Sequence, residues 1–293
     1  MSSIVVTRVR RKLEASPRAV QAMRAFWAVS QRVLPRSDTR INESFPMFTP
    51  YSAGSSRVRA QLTIQAVNET FPLMLELLSR TGRRIEDPVP IEAFINSDDK
   101  RTAADQLKVL YDRHGSDKAT DHDYHLLYGP ILAQRDSVTG LLEVGLGTNN
   151  SDVISNMGID GKPGASLRAF RDFLPKAQIY GADVDRRVLF SDERITTFFV
   201  DQTDPRSFDA IADAVGDNLD LIIDDGLHSP NANLATLLFG LERLKVGGWL
   251  VIEDIAPAAV PLWQAIVAMM PHQYDSHVVA AKGAFLFAMW RSA

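Results

Sequence analysis

The sequence predicts an α/β fold: a seven-stranded, mostly parallel sheet that ends in an antiparallel hairpin and follows a mainly helical N-terminal region. From residue 141 onward, short apolar runs alternate with helical segments, which is typical of a parallel sheet covered by helices. The last two apolar runs flank Lys282-Gly283, a turn-like dipeptide that predicts the hairpin. The N-terminal third instead shows apolar residues at helical spacing.

Each predicted element is an apolar run bounded by residues that end it. Pro175 ends the first helix of the α/β region, and Gly247-Gly248 ends the third. The seven strands are expected at 141–144, 178–183, 195–200, 219–223, 249–252, 277–281 and 284–290. The helices between them are expected at 166–174, 207–215, 231–244 and 261–270.

The N-terminal part is expected to form a helical region over 1–100, and 101–293 to form the main domain. Helices are predicted at 57–80 and 102–113, and Pro72 should kink or split the first of them. These two segments carry the helical spacing of apolar residues on which the prediction depends.

A basic segment at 8–34 predicts one or two further helices. Residues 1–40 carry a net charge of +7, whereas the rest of the chain carries −11. Such a helix either docks on the body or on a second subunit, or binds a membrane surface or a partner protein. A homo-oligomer formed through the N-terminal helices is the expectation.

The composition excludes several classes of function. The net charge of −4 argues against a general nucleic-acid binder. The chain has no cysteine, which excludes disulfides, thiolate zinc sites and a cysteine nucleophile, and which fits a cytoplasmic protein. No apolar run approaches the ~18–20 residues that a membrane span needs. Arginines interrupt the N-terminus where a signal peptide would be apolar.

Three segments place polar groups where apolar strands end. They are Leu141–Thr148, which runs into a glycine loop, and Ile222–His228 and Val251–Asp254, which end in carboxylates. Ligands of open α/β sheets bind beyond the carboxyl ends of the strands. The three segments therefore predict one pocket, with a nucleoside-type cofactor beside a metal site.

The glycine loop by itself is a weak signal. Gly145 and Gly147 match two positions of the dinucleotide fingerprint, but Asn150 stands at the third, and a structural glycine turn explains the motif equally well. Asp183 and Asp201 end the next two strands, where carboxylates would accept bonds from ribose and from adenine. Together they favour an adenosyl ligand, although Asp185 competes with Asp183 for the ribose.

The acidic strand ends predict a site for a hard cation. Asp224 and Asp225 end one strand, and Glu253 and Asp254 end the neighbouring one, about 5 Å away. Carboxylates so close repel one another unless a cation intervenes, and Mg²⁺ prefers oxygen ligands. One of the two adjacent aspartates should be structural because neighbouring strand residues point to opposite faces. His228 is the candidate base, with a surface histidine as the alternative.

Two further segments lie near this pocket in the prediction. The long polar stretch at 149–165 is interpreted as a lid or wall. His114, His122 and His125 form a cluster with acidic and tyrosine residues, and this cluster either lines the pocket or is a solvated turn.

These motifs together resemble class I S-adenosylmethionine-dependent methyltransferases, which have a Rossmann-like sheet. More narrowly, the chain resembles the metal-dependent O-methyltransferases that modify sugars of macrolide antibiotics. The resemblance covers about 108–291 and includes the segment from His114 to Tyr128. Leu227 departs from the serine that is common at this position, so the acceptor stays open.

The resemblance implies a role for each matching residue. Glu143, Gly145 and Gly147 would form the cofactor loop, Asp183 would hold the ribose, and Asp201 with Gln202 the adenine. Lys118 and Tyr124 would reach the methionine end of S-adenosylmethionine. The remaining roles are Mg²⁺ binding and catalysis by the acidic cluster, with Asp225, Glu253 and Asp254 as metal ligands, Asp225 and His228 as catalytic residues, and His228 as the general base.

The predicted function is a Mg²⁺-dependent O-methyltransferase that acts on a hydroxyl of a small glycosylated or sugar-like molecule. Two other functions stay open. One is an NAD(P)-dependent oxidoreductase, against which the missing third glycine and the crowded carboxylates argue. The other is a non-catalytic adapter, which would not need Asp225, His228, Glu253 and Asp254.

Overall fold

The computed structural model describes residues 56–292. Within the described part, the residues from 71 onward form one compact unit. The predicted basic helices at 8–34 lie outside the described residues. In the described part, no helix is long and apolar enough to cross a membrane.

The described part of the chain contains seven α-helices. Helix α1 confirms the predicted segment 57–80, and it continues through Pro72, so of the two expected outcomes, a kink or a split, the split is wrong. Proline removes one hydrogen bond from a helix and crowds the carbonyl group four residues earlier, which can kink a helix without ending it. The helices are α1 (Ser56–Arg80), α2 (Asp98–His114), α3 (His125–Ile131), α4 (Ala165–Phe173), α5 (Asp209–Val215), α6 (Pro230–Arg243) and α7 (Val260–Met269).

The described strands form one mixed sheet in the order β1-β8-β9-β7-β6-β2-β3-β5-β4. It has nine strands instead of the predicted seven, because two-residue strands, β1 and β4, form its edges. Such short strands leave no alternating pattern in the sequence. The strands are β1 (Val89–Pro90), β2 (Gly140–Val144), β3 (Gln178–Asp183), β4 (Ser191–Asp192), β5 (Ile195–Phe199), β6 (Leu219–Asp224), β7 (Leu244–Ile255), β8 (Tyr274–Ala280) and β9 (Phe285–Arg291).

The predicted antiparallel hairpin is confirmed at the end of the chain. Strand β9 pairs antiparallel with both β8 and β7, whereas β2, β3, β5, β6 and β7 pair in parallel where they adjoin, and β1 is parallel to β8. The short β4 adds an antiparallel edge beside β5. The fold is thus the α/β class that the sequence predicts.

Strand β7 differs from its prediction. Gly247 and Gly248 do not end a helix; they lie inside β7, where Leu244 already pairs with Leu219 of β6. The pairing resumes at Trp249, so the intervening residues form a bulge. A Cβ atom on Gly248 would lie 2.9 Å from the Leu219 carbonyl oxygen, which explains the need for glycine there.

Alternating residues of the central strands build two cores. Leu141 and Ile223 pack on the face that α2, α3 and α4 cover, whereas Leu142 and Ile222 pack on the opposite face with α5, α6 and α7. Burial on both faces fixes the register of the strands. It therefore also fixes which side chains meet at the carboxyl ends.

The register brings the polar strand ends to the same edge of the sheet. Val144 of β2 pairs with Ala182 of β3 and with Asp224 of β6, and Asp224 pairs with Ile252 of β7. The residues that follow these positions therefore surround one point beyond the sheet. This arrangement positions the candidate site.

Candidate active site

A cavity of about 820 Å³ opens at the carboxyl ends of the parallel strands. Its volume lies within the range of small-molecule sites, which is roughly 300–1,000 Å³. All the predicted site residues except Glu143 line it. These are Lys118, Tyr124, Gly145, Gly147, Asp183, Asp201, Gln202, Asp225, His228, Glu253 and Asp254.

The glycine loop forms one wall of the cavity. Its two glycines have positive φ angles, which glycine adopts more readily than other residues. Gly145 has φ +98°, and a Cβ atom there would lie 2.0 Å from the Asp225 carbonyl oxygen. Gly147 has φ +75°. The Gly145 N–H donates to the Ala182 carbonyl at 2.7 Å, which anchors the loop to β3. The close approach of loop and β6 end requires glycine at position 145.

Asp183 holds the glycine loop from the end of β3. Its carboxylate accepts the Leu146 N–H at 2.8 Å and the Asp185 N–H at 2.7 Å. Burial raises the pKa of Asp183 although these N–H groups oppose the shift. Asp183 thus lines the cavity while part of its hydrogen-bonding capacity stabilises the loop.

Asp185, the competitor of Asp183, is occupied by other partners. It accepts bonds from the Arg187 guanidinium at 2.6 Å, the Thr148 hydroxyl at 2.7 Å and the Asn150 amide at 2.7 Å. The Arg187 bonds hold the pKa of Asp185 below its usual range. Asp185 therefore ties the glycine loop and the segment after it to β3.

Asp224 is the structural member of the adjacent aspartate pair. It is fully buried and accepts the amide groups of Gln202 at 2.9 Å and Asn233 at 3.2 Å. The Gln202 amide also reaches the Thr236 hydroxyl, and its oxygen accepts the Leu227 N–H at 2.9 Å. The Gln202 side chain is thus largely used inside the protein, whereas Asp201 beside it is half-buried at the cavity wall.

Asp225, His228 and Asp254 form a compact polar cluster at the cavity, called the DHD cluster below. One ligand atom from each lies within 4.8 Å of the other two. His228 Nε2 lies 4.0 Å from Asp225 Oδ1 and 3.9 Å from Asp254 Oδ2. About a third or less of each side chain is exposed. Two carboxylates and an imidazole on one open face are a donor set that suits a divalent cation.

Glu253 points away from the DHD cluster. Its carboxylate contacts Lys118 Nζ and accepts the Tyr128 hydroxyl, and the residue is buried. Burial raises the pKa of Glu253 despite the neighbouring Lys118. The predicted metal-ligand set is therefore divided, with Asp225 and Asp254 beside His228 and with Glu253 directed to Lys118. Consecutive residues at a bulged strand end point to different sides.

Lys118 lies among carboxylates instead of reaching into open space. Its Nζ lies 2.6 Å from Asp225 Oδ2, 3.2 Å from Glu143 Oε1 and in contact with Glu253. Burial lowers the pKa of Lys118, but the three carboxylates together raise it by more, so the net effect is a raised pKa. The spacing around position 118 gives no signal of these long-range pairs.

Tyr124 and His122 complete the wall beside Asp254. The Tyr124 hydroxyl donates to Asp254 Oδ1 at 2.5 Å, and burial raises the pKa of Tyr124. The His122 ring stacks on Tyr124 with centroids 5.0 Å apart, and its Nδ1 lies 3.9 Å from Asp254 Oδ1. Of the three clustered histidines, only His122 lines the cavity. His114 pairs with Asp172 at 2.8 Å, and His125 is buried at the start of α3.

The segment 149–165 borders the cavity, as the interpretation of a lid or wall requires. It has no strand, and its helical part starts at Ala165, where α4 begins. Asp152 and Met157 line the cavity, and Asp152 pairs with Arg187 at 3.0 Å. Arg187 thus links the segment to Asp185, a contact that the sequence pattern did not indicate.

Comparison with known proteins bears on the motif resemblance. The chain matches no protein-family profile. It is 32% identical over 184 residues to the 8-demethyl-8-alpha-L-rhamnosyl tetracenomycin-C 2'-O-methyltransferase of Streptomyces olivaceus. The aligned region covers 61% of this chain and 46% of the relative. It is 39% identical over 99 residues to the mycinamicin VI 2''-O-methyltransferase of Micromonospora griseorubida. That aligned region covers 33% of this chain and 24% of the relative.

The resemblance to sugar O-methyltransferases is confirmed. The chain spans less than half the length of these two sugar O-methyltransferase relatives. Among solved structures, it is similar to the MycE methyltransferase in complex with Mg, SAH and mycinamycin VI, with a TM-score of 0.52 and 23% identity. That match covers 64% of this chain and 53% of MycE, and it shows that the two share the methyltransferase fold.

Proposed function

We propose that this protein is a Mg²⁺-dependent O-methyltransferase that moves a methyl group from S-adenosylmethionine to a hydroxyl of a small sugar-bearing molecule. The observation that carries the proposal is the position of the DHD cluster. Asp225, His228 and Asp254 line the same cavity as the loop of Gly145 and Gly147. Methyl transfer to a hydroxyl needs a surface that binds the cofactor, a site for the cation and a base, and this cavity offers all three.

The glycine loop and the ends of β3 and β5 supply the binding surface for the donor. Gly145 and Gly147 carry no side chain, so the backbone at these two positions can approach the ligand. Asp183 is proposed to hold the ribose and Asp201 the adenine, because both line the cavity at successive strand ends. Gln202 supports the adenine side through its bond to Leu227 N–H. Glu143 is proposed to support this loop, because it is buried and accepts the Ser166 hydroxyl at 2.6 Å at the start of α4.

Asp225 and Asp254 are proposed to hold the divalent cation, with Glu253 behind them. These oxygen ligands suit Mg²⁺ because both carboxylates face the cavity. The Tyr124 hydroxyl, which donates to Asp254, orients that carboxylate. When bound, the donor supplies the electrophilic methyl group and the cation lowers the pKa of the acceptor hydroxyl. Lys118 and Tyr124 act on this face through their bonds to the carboxylates.

His228 is proposed to take the proton of the acceptor hydroxyl. Its Nε2 lies about 4 Å from both Asp225 and Asp254, so the ring faces the point where an acceptor would meet the cation site. An imidazole titrates near neutral pH and can accept this proton during the displacement. The protein otherwise contributes orientation, which can be worth ~7–11 kcal/mol of the barrier.

A glycosylated natural product is proposed as the acceptor because the relatives carry that chemistry in their names. They are O-methyltransferases of rhamnosyl tetracenomycin-C and of mycinamicin VI. We also propose a methyltransferase domain at 101–293 that follows a helical region, a cytoplasmic location, self-association through the N-terminal helices, and no nucleic-acid partner.

Mass spectrometry of reactions with a panel of deoxysugar-bearing natural products tests the proposal. We expect a product heavier by one methylene group, formed only with S-adenosylmethionine and abolished by EDTA until Mg²⁺ is restored. Calorimetric binding of NAD with no binding of S-adenosylmethionine would favour an oxidoreductase instead. Binding of the donor without turnover of any glycoside would favour a non-catalytic adapter.

A further inference from the structure

Lys118 joins carboxylates from three strand ends. The Lys118 cluster consists of Lys118, Glu143 of β2, Asp225 after β6 and Glu253 of β7. The ammonium lies 2.6 Å from Asp225 Oδ2 and 3.2 Å from Glu143 Oε1, and it contacts Glu253. Lys118 is only 2% exposed, and Glu143 and Glu253 are buried as well. A single amine therefore holds groups that belong to two different parts of the cavity.

Glu143 connects this amine to the donor side. It precedes Gly145 by two residues, and its second oxygen accepts the Ser166 hydroxyl at 2.6 Å, at the first turn of α4. Among the described residues, its Oε1 has the Lys118 ion pair and no hydrogen-bond partner besides. Glu143 is thus held by Ser166 and Lys118 and continues along the chain directly into the glycine loop.

Asp225 and Glu253 connect the same amine to the cation side. Asp225 uses Oδ2 for Lys118, whereas its Oδ1 faces His228 at 4.0 Å. Two buried carboxylates and a third, partly exposed one would repel one another without a positive charge between them. Lys118 therefore fixes the direction in which Asp225 presents its free oxygen to the cavity.

We propose that Lys118 is a positioning residue that couples binding of the methyl donor to binding of the divalent cation. The proposal rests on the proposed function of the cavity. A donor that orders the glycine loop fixes Glu143 and, through it, Lys118, so that the cation meets an Asp225 that is already oriented. Because such coupling is reciprocal, the cation must tighten donor binding by the same factor.

Calorimetry with the full chain measures this coupling. Mg²⁺ is titrated with and without saturating S-adenosylhomocysteine, and the ratio of the two Kd values is compared between variants. We expect the wild-type protein to bind Mg²⁺ at least about fivefold more tightly when S-adenosylhomocysteine is present. Lys118→Met and Glu143→Gln should reduce the ratio to about one, while each ligand alone still binds to Glu143→Gln.

Lys108→Met is the matched control because Lys108 forms an exposed ion pair with Asp112 on α2 and lies outside the cavity. It should keep the wild-type ratio. Glu143→Gln keeps the size and the bond to Ser166, so it carries the test if Lys118→Met fails to fold. Wild-type binding of both ligands with a ratio of one, or an unchanged ratio in Glu143→Gln, overturns the coupling. Failure of wild type to bind either ligand overturns the proposed function as well.

Discussion

His228 and Asp254 share an unusual backbone conformation and face each other in the cavity. Both have φ +54°, in the left-handed region that non-glycine residues rarely adopt. The His228 Nε2 and Asp254 Oδ2 atoms are 3.9 Å apart. Left-handed residues of this kind cluster at functional sites, where the surrounding structure holds them. The two residues are thus held in the orientation that makes the DHD cluster.

Replacing His228 by alanine tests its role as the base. We expect kcat to fall by about a hundredfold to ten-thousandfold, because no other imidazole faces both Asp225 and Asp254 in the described part of the chain. Transfer of labelled methyl groups to an accepted glycoside gives the measurement. His272→Ala is the control, since His272 is exposed and outside the cavity. Near wild-type turnover in a folded His228→Ala protein would contradict the assignment.

Gly145→Ala should impair both stability and donor binding. Its Cβ would lie 2.0 Å from the Asp225 carbonyl oxygen, so the loop or the end of β6 must move. We expect about 1–2 kcal/mol lost to the positive φ and a further ~1–3 kcal/mol lost to overpacking. Urea unfolding and calorimetry with S-adenosylhomocysteine measure the two effects.

Gly216→Ala separates these two causes. Gly216 has φ +73°, but a Cβ atom there meets nothing within 4 Å. It should show only the loss from the backbone, about 1–3 kcal/mol because its ψ of −167° places it in a region that other residues rarely adopt, and it should bind S-adenosylhomocysteine normally. Equal destabilisation of the two variants would mean that the loop accommodates the methyl group.

Asp254→Asn should weaken cation binding more than it weakens the fold. The carboxylate loses a charge that faces the cavity, while the amide oxygen can still accept the Tyr124 hydroxyl. We expect the Kd for Mg²⁺ to rise by about tenfold or more, measured by calorimetry. Asp275→Asn is the control because Asp275 is exposed on β8 and lies outside this cavity. An unchanged Kd in Asp254→Asn would exclude Asp254 as a ligand.

Arg187→Met should loosen the segment 149–165. Arg187 bonds Asp185 at 2.6 Å and Asp152 at 3.0 Å, so its loss removes one link between the segment and the end of β3 and leaves the Asn150 bond to Asp185. Hydrogen exchange followed by mass spectrometry should show faster exchange there and unchanged exchange in the central strands. Arg206→Met is the matched control, because Arg206 forms the same type of pair with Asp204 away from the cavity. Unchanged exchange would show that other contacts hold the segment.

The Arg187 pair also predicts a pH dependence. Arg187 holds the pKa of Asp185 below its usual range, so the contact stabilises the fold above the unfolded-state pKa of about 4. This contribution is lost as the pH falls through the lowered pKa. We expect protection of 149–165 to persist at pH 4 in wild type and Arg206→Met, and to be reduced in Arg187→Met already at pH 7. Identical exchange of wild type and Arg187→Met across this range would contradict it.

The sequence by itself determined the α/β class, the terminal hairpin and most residues of the cavity. These follow from local signals: apolar runs give the strands, and polar residues directly after them mark the carboxyl ends. Gly145, Asp183, Asp225 and Asp254 could be assigned to one edge because parallel strands place their ends together. The edge strands β1 and β4 were missed because two residues carry no period.

Only the tertiary structure decided how the polar side chains pair. It directs Glu253 to Lys118 instead of the DHD cluster, uses Asp224 and Gln202 inside the protein, and brings His122 against Tyr124. These contacts join residues that are distant in the chain, and their geometry depends on the register and on the bulges of β7. A one-residue change in register would turn Asp224 and Glu253 to the other face of the sheet, so no local pattern can specify their partners.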